Sequence, residues 1–285
     1  MNAGILLCAG FGTRLKPATD WIPKPAIPFL TKPMVEYAIE AMRRAHIEIC
    51  AANVHHLSAR METTLRRLFD EKNMTPVKIY REQGEILGTG GGARECAKLL
   101  KDADRFVIYH GDVLCSVDLD WAMRDHIASG CDVSLVLVPR PKSTKLGMIG
   151  VDAHHRVAQI RDWKRPDLED NAPLIPACFA GIHIVERRVL ETMNPEGYVC
   201  LVTEIYRQRL EAGKDIHAIM TEAFFADIGT PETYFEAQDR VVKDRSLRAW
   251  SGISPNSCTE NLVFQSWKDL CDHVQSLAQA ESTQK

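Results

Sequence analysis

Two cations and two carboxylates stand where this chain could carry out phosphate chemistry. Arg14 and Lys24 lie in a glycine- and proline-rich stretch directly after an apolar run, which begins Leu7-Cys8-Ala9-Gly10-Phe11-Gly12-Thr13-Arg14-Leu15. Backbone N–H groups in such a loop can surround a triphosphate while the cations offset its charge. A dinucleotide fingerprint would need a third glycine where Leu15 stands and a helix opening inside the motif, which Pro17, Pro23, Pro25 and Pro28 oppose. A Walker loop is also excluded, because no Gly-Lys-Ser/Thr follows. The alternative is a surface loop with incidental basic residues.

Asp112, in His110-Gly111-Asp112, ends a second apolar run, and Asp227, in Ala226-Asp227-Ile228-Gly229-Thr230-Pro231, ends another just before a helix start. Two carboxylates brought together at strand ends suit Mg2+, a hard ion that takes one or two protein oxygens and completes its octahedron with water and phosphate. Taken singly, each reads equally well as a turn or cap residue. A third segment, Glu85-Ile86-Leu87-Gly88-Thr89-Gly90-Gly91-Gly92, sits between a strand and a helix. Its glycines allow a flat base to approach the backbone, or simply mark a tight turn.

The elements that must position these residues follow from hydrophobic period. Strand-length apolar runs alternate with helical segments, which predicts an α/β fold with a doubly wound, mixed and mainly parallel sheet. Strands are expected near 5–9, 47–54, 77–80, 106–110 and 133–138, with helices near 34–45, 57–69, 92–100 and 119–129 between them. In such sheets ligands collect at the carboxyl ends of the strands. Beyond Val138 the segments become shorter and more polar, with Pro139, Pro141, Pro166, Pro173 and Pro176, which predicts a small mixed β extension capping the nucleotide half. Helical patterns at 203–212 and 231–244 flank strand-like stretches at 216–220 and 223–228.

The spacing divides the chain into a domain over 1–245, in two halves over about 1–138 and 139–245, and a C-terminal extension over 246–285. Residues 275–285 are polar enough to fray. The stretch 247–277, with Trp250, Phe264 and Trp267, is expected to pack on its own domain or on a neighbour, which leaves a homo-oligomer open.

The stretch from Leu7 to Pro28, L-C-A-G-F-G-T-R-L-K-P-A-T-D-W-I-P-K-P-A-I-P, closely resembles the signature of the sugar nucleotidyltransferases, or nucleotide-sugar pyrophosphorylases, G-x-G-T-R-L-x-P-x-T followed by P-K-P. The resemblance covers about residues 3–245 and implies the Rossmann-like nucleotide-diphospho-sugar transferase fold, with the first half binding nucleotide and the second sugar. It implies Mg-dependent conversion of a nucleoside triphosphate and a sugar 1-phosphate to a nucleotide sugar and pyrophosphate. Arg14 would hold the leaving pyrophosphate and Lys24 the reacting phosphates. Leu7, Ala9, Gly10, Gly12 and Thr13 would bind nucleotide together with Glu85, Gly88, Thr89 and Gly90. Asp112 and Asp227, the latter in D-I-G-T-P, match the metal ligands. The Gly-rich form of the second loop is similar to that of bacterial enzymes acting on N-acetylmuramate 1-phosphate, and mannose-1-phosphate guanylyltransferases are a second similar branch. Uridylyl or guanylyl transfer for cell-envelope or polysaccharide precursors is the pairing this implies.

On the sugar side, Gly181 in Ala180-Gly181-Ile182 and the pair Thr203-Glu204 match positions near the sugar. Where many members have Glu-Lys-Pro, this chain has Asp162-Trp163-Lys164-Arg165-Pro166, so the phosphate clamp falls to Lys164 or Arg165. Rival readings are a non-catalytic regulatory homologue that binds nucleotide sugars, and cytidylyl or uridylyl transfer to a non-sugar phosphate such as choline phosphate. The first would be expected to lose a cation or a carboxylate, and all four are present.

Bulk properties agree. With 285 residues, 45% hydrophobic content and a net charge of −3, the chain can bury a full core and offers no basic excess for nucleic acid. Its longest apolar runs, 133–138 and 3–9, fall far short of the roughly 20 residues of a membrane helix. Met1-Asn2 leads straight into a strand without the basic start of a signal peptide, which with nine scattered cysteines and no C-x-x-C predicts a reducing, cytoplasmic setting. The pairs His55-His56 and His154-His155 are poor metal sites, since adjacent strand residues face opposite ways.

Overall fold

The computed structural model describes residues 1–47, 49–140, 147–254 and 263–283. The strands are β1 Asn2–Cys8, β2 Cys50–Val54, β3 Lys78–Arg81, β4 Arg105–His110, β5 Val113–Cys115, β6 Val133–Pro139, β7 Ile149–Val151, β8 Val157–Ile160, β9 Trp163–Lys164, β10 Ile175–Glu186, β11 His217–Met220 and β12 Phe225–Asp227, beside a two-residue pairing of Pro28–Phe29 with Lys32–Pro33. The main helices are α1 Met34–Arg44, α2 Ser58–Glu71, α3 Gly88–Leu99, α4 Leu119–Ser129, α5 Pro231–Lys243 and α6 Trp267–Thr283.

Ten strands form one mixed sheet whose path runs β9-β8-β7-β10-β4-β1-β2-β3, with β6 pairing β10 and β11. The half from β4 through β1 and β2 to β3 is parallel. Here the strands read as near-continuous apolar runs because helices cover both faces. Alternation along β1 shows this: Leu6 and Cys8 pack with Val35, Ile39 and Met42 of α1, whereas Ala3 and Ile5 pack with Ala93, Cys96 and Ala97 of α3. Helix starts follow local chemistry. The Asp118 carboxylate accepts from the N–H groups of Asp120 and Trp121 at the head of α4, and Thr230 and Thr233 form a reciprocal cap ahead of Pro231 in α5.

The region after Val138 departs from the expected cap. β10 is twelve residues long and lies antiparallel beside β4, β6 and β7, so the second half continues the main sheet. Its alternating apolar residues, with Ile182 and Ile184 facing one core and Val185 the other, need covering on both faces, which an isolated cap would not supply. Pro141 lies outside the described residues. The helix expected over 203–212 begins instead as a π-helix, Leu201–Tyr206, and continues as α-helix over Arg207–Glu211.

The expected fraying of 275–285 gives way to helix as far as Thr283. Leu270, Cys271, Val274 and Ala278 bury an apolar stripe of α6 that the polar composition conceals. The described part of this segment packs on its own domain. Leu270 and Val274 join Leu15, Ala18 and Ile22 of the proline-rich loop in a third core, Trp250 packs on Tyr37 with ring centroids 5.0 Å apart, and Trp267 packs on Tyr234. No helix among the described residues is long and apolar enough to cross a membrane.

Candidate active site

The carboxyl ends of β1 and β4 lie side by side, and the Gly111 N–H donates to the Leu7 carbonyl at 3.0 Å. Asp112 therefore emerges next to the loop that follows β1. Asp227 reaches the same place from far away in sequence, because β12 pairs antiparallel with β5 in the register Asp227 opposite Val113. Lys24 stands in a single 3-10 turn, Lys24–Ala26, with Pro25 at its start. Its Nζ is 2.7 Å from Asp112 Oδ2 and 3.9 Å from Asp227 Oδ1, with the side chain almost fully buried and each carboxylate about two-thirds buried. Burial by itself would raise the Asp112 pKa, but the Lys24 ammonium and, next, His110 hold the carboxyl below the usual carboxylate range.

Gly12 makes the loop tight enough for this. It has φ 62°, and a Cβ there would come within 2.9 Å of both Lys24 Cβ and the Thr19 methyl, while Thr19 Oγ1 donates to the Gly12 carbonyl at 3.1 Å. Arg14 is exposed, makes no ion pair among the described residues, and lays its guanidinium against Gly229. Gly181, with φ 71°, occupies the irregularity in β10 between Phe179 and His183 and lets that strand pass Val113.

Two adjoining cavities share Arg14, Lys24 and Asp112. One, of about 340 Å3, is lined by Leu7, Gly10, Phe11, Gly12, Thr13, Pro25 and Gly229. The other, of about 330 Å3, is lined by His110, Gly147, Met148, Arg161, Phe179, Gly181, Val202 and Asp227 among others. A larger cavity of about 480 Å3 beside α6 has no acidic residue in its lining and stands apart from the carboxylate pair. Ala9 is buried and lines neither cavity.

Other expected residues sit differently. Gly88 already begins α3, four residues before the expected start, and the N–H groups of Gly90 and Gly91 both point to the Val199 carbonyl, at 2.8 and 3.2 Å. Gly90 and Gly91 thus admit a neighbouring chain segment close to their backbone. Thr89 Oγ1 accepts from Leu201 N–H at 3.0 Å and so caps the π-helix, and Glu85 is exposed. Arg165 is buried against its ion-pair partners Asp167 and Asp215 and lines neither cavity, and Lys164 is exposed on β9 and lines neither. Besides Arg14 and Lys24, the second cavity is lined by Arg161, which sequence reasoning missed. Glu204 is turned back to accept from Cys200 N–H at 2.8 Å, and Val202, not Thr203, lines the cavity.

A buried pair also escaped notice. Asn53 Oδ1 accepts from Cys8 N–H at 3.0 Å, its Nδ2 donates to Glu82 Oε1 at 2.7 Å, and Glu82 Oε2 accepts from Leu87 N–H at 2.9 Å. This ties the end of β1 to the turn before α3. Asn53→Leu would leave the Cys8 N–H and one Glu82 oxygen without partners and should cost about 3 kcal/mol of stability, read by urea unfolding. A loss under about 0.5 kcal/mol would show that water replaces the amide.

A family model described as nucleotidyl transferase matches residues 3–244. The chain belongs to the nucleotidyl transferase family. Among relatives in this family, a UTP–glucose-1-phosphate uridylyltransferase from Synechocystis is 26% identical over 245 residues, covering 82% of this chain and 61% of that protein. The low-salt glycan biosynthesis nucleotidyltransferase Agl11 of Haloferax volcanii is 29% identical over 268 residues, covering 91% and 71%. A mannose-1-phosphate guanylyltransferase from Mycobacterium tuberculosis is 27% identical over 254 residues, covering 88% and 66%. The chain thus spans less than two thirds of the length of the Synechocystis relative. The crystal structure of HddC from Yersinia pseudotuberculosis superposes with a TM-score of 0.67 at 22% identity, covering 84% of this chain and 99% of HddC, a likeness of fold.

Proposed function

We propose that this member of the nucleotidyl transferase family joins a nucleoside triphosphate to a sugar 1-phosphate, releasing pyrophosphate, with a uridylyl or guanylyl group transferred for cell-envelope or polysaccharide precursors. The observation that carries this reading is the junction of two cavities at Arg14, Lys24 and Asp112, which gives each substrate a site and both the same charged floor. The cavity under Gly10–Arg14 suits the triphosphate and the one beside Gly181 and Arg161 the sugar phosphate. A sugar phosphate is ionised at neutral pH, so its oxygen attacks the α-phosphorus without a general base once repulsion between the anions is offset. Lys24 would lie between the reacting phosphates and Arg14 beside the leaving pyrophosphate.

Mg2+ fits the donor set. Asp112 and Asp227, both hard oxygen donors, converge on one point, 2.7 and 3.9 Å from the Lys24 ammonium, and would hold the ion with substrate and water completing its shell. When bound, the ion would neutralise phosphate charge in the in-line transfer. Uracil or guanine and the identity of the sugar follow from hydrogen bonds at the cavity rims. The test is pyrophosphate release with Mg2+, crossing UTP, GTP, dTTP, CTP and ATP with glucose, mannose, N-acetylglucosamine and N-acetylmuramate 1-phosphates. Release should need both substrates and fall by at least about a hundredfold in Asp112→Ala. Nucleotide-sugar binding without turnover by any pair would instead support a regulatory homologue.

A further inference from the structure

His110 ends β4 at the wall of the second cavity and is wired into the core. Its Nε2 lies 3.1 Å from His183 Nε2, and His183 Nδ1 lies 2.8 Å from the Tyr206 hydroxyl. His183 and Tyr206 are wholly buried. The Phe179 ring packs edge-on against His110 at 5.8 Å and at a tilt against His183 at 4.5 Å between centroids, so both imidazoles are held in orientation.

Two polarities could satisfy these contacts. In one, the Tyr206 O–H donates to His183 Nδ1, and His183 Nε2–H donates to His110 Nε2. In the other both bonds reverse, and the Tyr206 hydrogen has nowhere to go, because that hydroxyl makes no second hydrogen bond among the described residues. A buried donor left without an acceptor forfeits its hydration for nothing, so the first polarity is the stable one. It makes His110 Nε2 an acceptor and puts the ring hydrogen on Nδ1.

Nδ1 has no hydrogen-bond partner among the described residues, and His110 is half-buried at the cavity wall. His110 lines the cavity of Arg161 and Gly181 and not the one beneath Gly10–Arg14. We propose that His110 donates its Nδ1–H to an oxygen of the acceptor sugar phosphate, with His183 and Tyr206 as positioning residues that fix its tautomer. The inference rests on the nucleotidyl-transfer reading for the identity of the acceptor, whereas the tautomer can be tested without turnover.

Long-range 1H–15N correlation of the imidazoles in the full chain, with His110 assigned from the signals lost in His110→Asn, should show hydrogen on Nδ1 and none on Nε2. In Tyr206→Phe the preference should weaken toward a mixture. A His110 protonated on Nε2 alone overturns the proposal whatever the activity is. In kinetics, His110→Leu should raise KM for the sugar phosphate about tenfold, the worth of one hydrogen bond, and leave KM for the nucleotide unchanged. His110→Asn, whose amide N–H can stand near Nδ1, should recover most of that loss. An equal rise in both KM values, or no recovery with Asn, overturns it. A wild-type chain that shows the expected tautomer but turns over no nucleotide and sugar phosphate would overturn the nucleotidyl-transfer reading and with it the acceptor assignment.

Discussion

Lys24→Met is expected to lower turnover by on the order of a thousandfold and, separately, to invert how stability responds to pH. Methionine keeps the length and apolar stem of lysine, so the packing under Gly12 should survive while the charge is lost. The ammonium lies 2.7 Å from Asp112 and 3.9 Å from Asp227, so its removal leaves two partly buried carboxylates with each other. In the parent chain the Asp112 carboxyl is held below its ordinary range, against the upward push of burial. A depressed folded-state pKa contributes stability that is present above the unfolded value and lost as pH falls through the folded one. Without Lys24 the upward push is unopposed by that cation and Asp112 should lie above its unfolded value. The variant then loses stability as pH rises past the unfolded value. Thermal unfolding of both proteins at about pH 5 and about pH 8, in chelator, should show the gap in Tm widening with pH. A gap of the same size at both pH values would mean that packing, not charge, makes Lys24 necessary for stability.

What the sequence disclosed about this site depends on how local each feature is. The loop around Gly12 and Arg14 was legible because its glycines, prolines and cations are consecutive, and the prolines oppose a long helix there, which the structure holds to the short turns Thr13–Leu15 and Ala18–Trp21. Asp112 and Asp227 were legible as strand ends, but their meeting depends on the pairing of β5 with β12 across more than a hundred residues, which only the fold supplies. The glycines at 90 and 91 are ambiguous in sequence because a close backbone approach has the same signature whether the visitor is a base or the Val199 carbonyl. Arg165 misled for a related reason. A cation beside a proline signals a clamp only if its charge is free, and Asp215, fifty residues on, takes it. His183 and Tyr206 look like ordinary interior residues in their apolar strand and helix, and nothing in their spacing points to His110.

Arg14→Ala should leave the fold alone and remove about a hundred- to a thousandfold from kcat. The side chain is exposed, belongs to none of the three cores and makes no ion pair among the described residues, so Tm should move by no more than about 2 °C. Arg14→Lys should restore charge but only part of the rate, since a point charge cannot address two phosphate oxygens as a planar guanidinium does. The position of that fork is itself testable through its neighbour. A Cβ at Gly229 would stand 2.9 Å from Nη2, 3.0 Å from Nη1 and 3.1 Å from Cζ of Arg14, closer than real contacts allow. Gly229→Ala therefore has to push the guanidinium off its seat while leaving its chemistry intact. If Arg14 works from the pose seen here, Gly229→Ala should lower kcat in the same direction as Arg14→Ala, by a smaller factor. The double variant should then be no worse than Arg14→Ala alone, because the alanine at 229 has nothing left to displace. Full activity in Gly229→Ala would show that Arg14 works from a different position, away from Gly229.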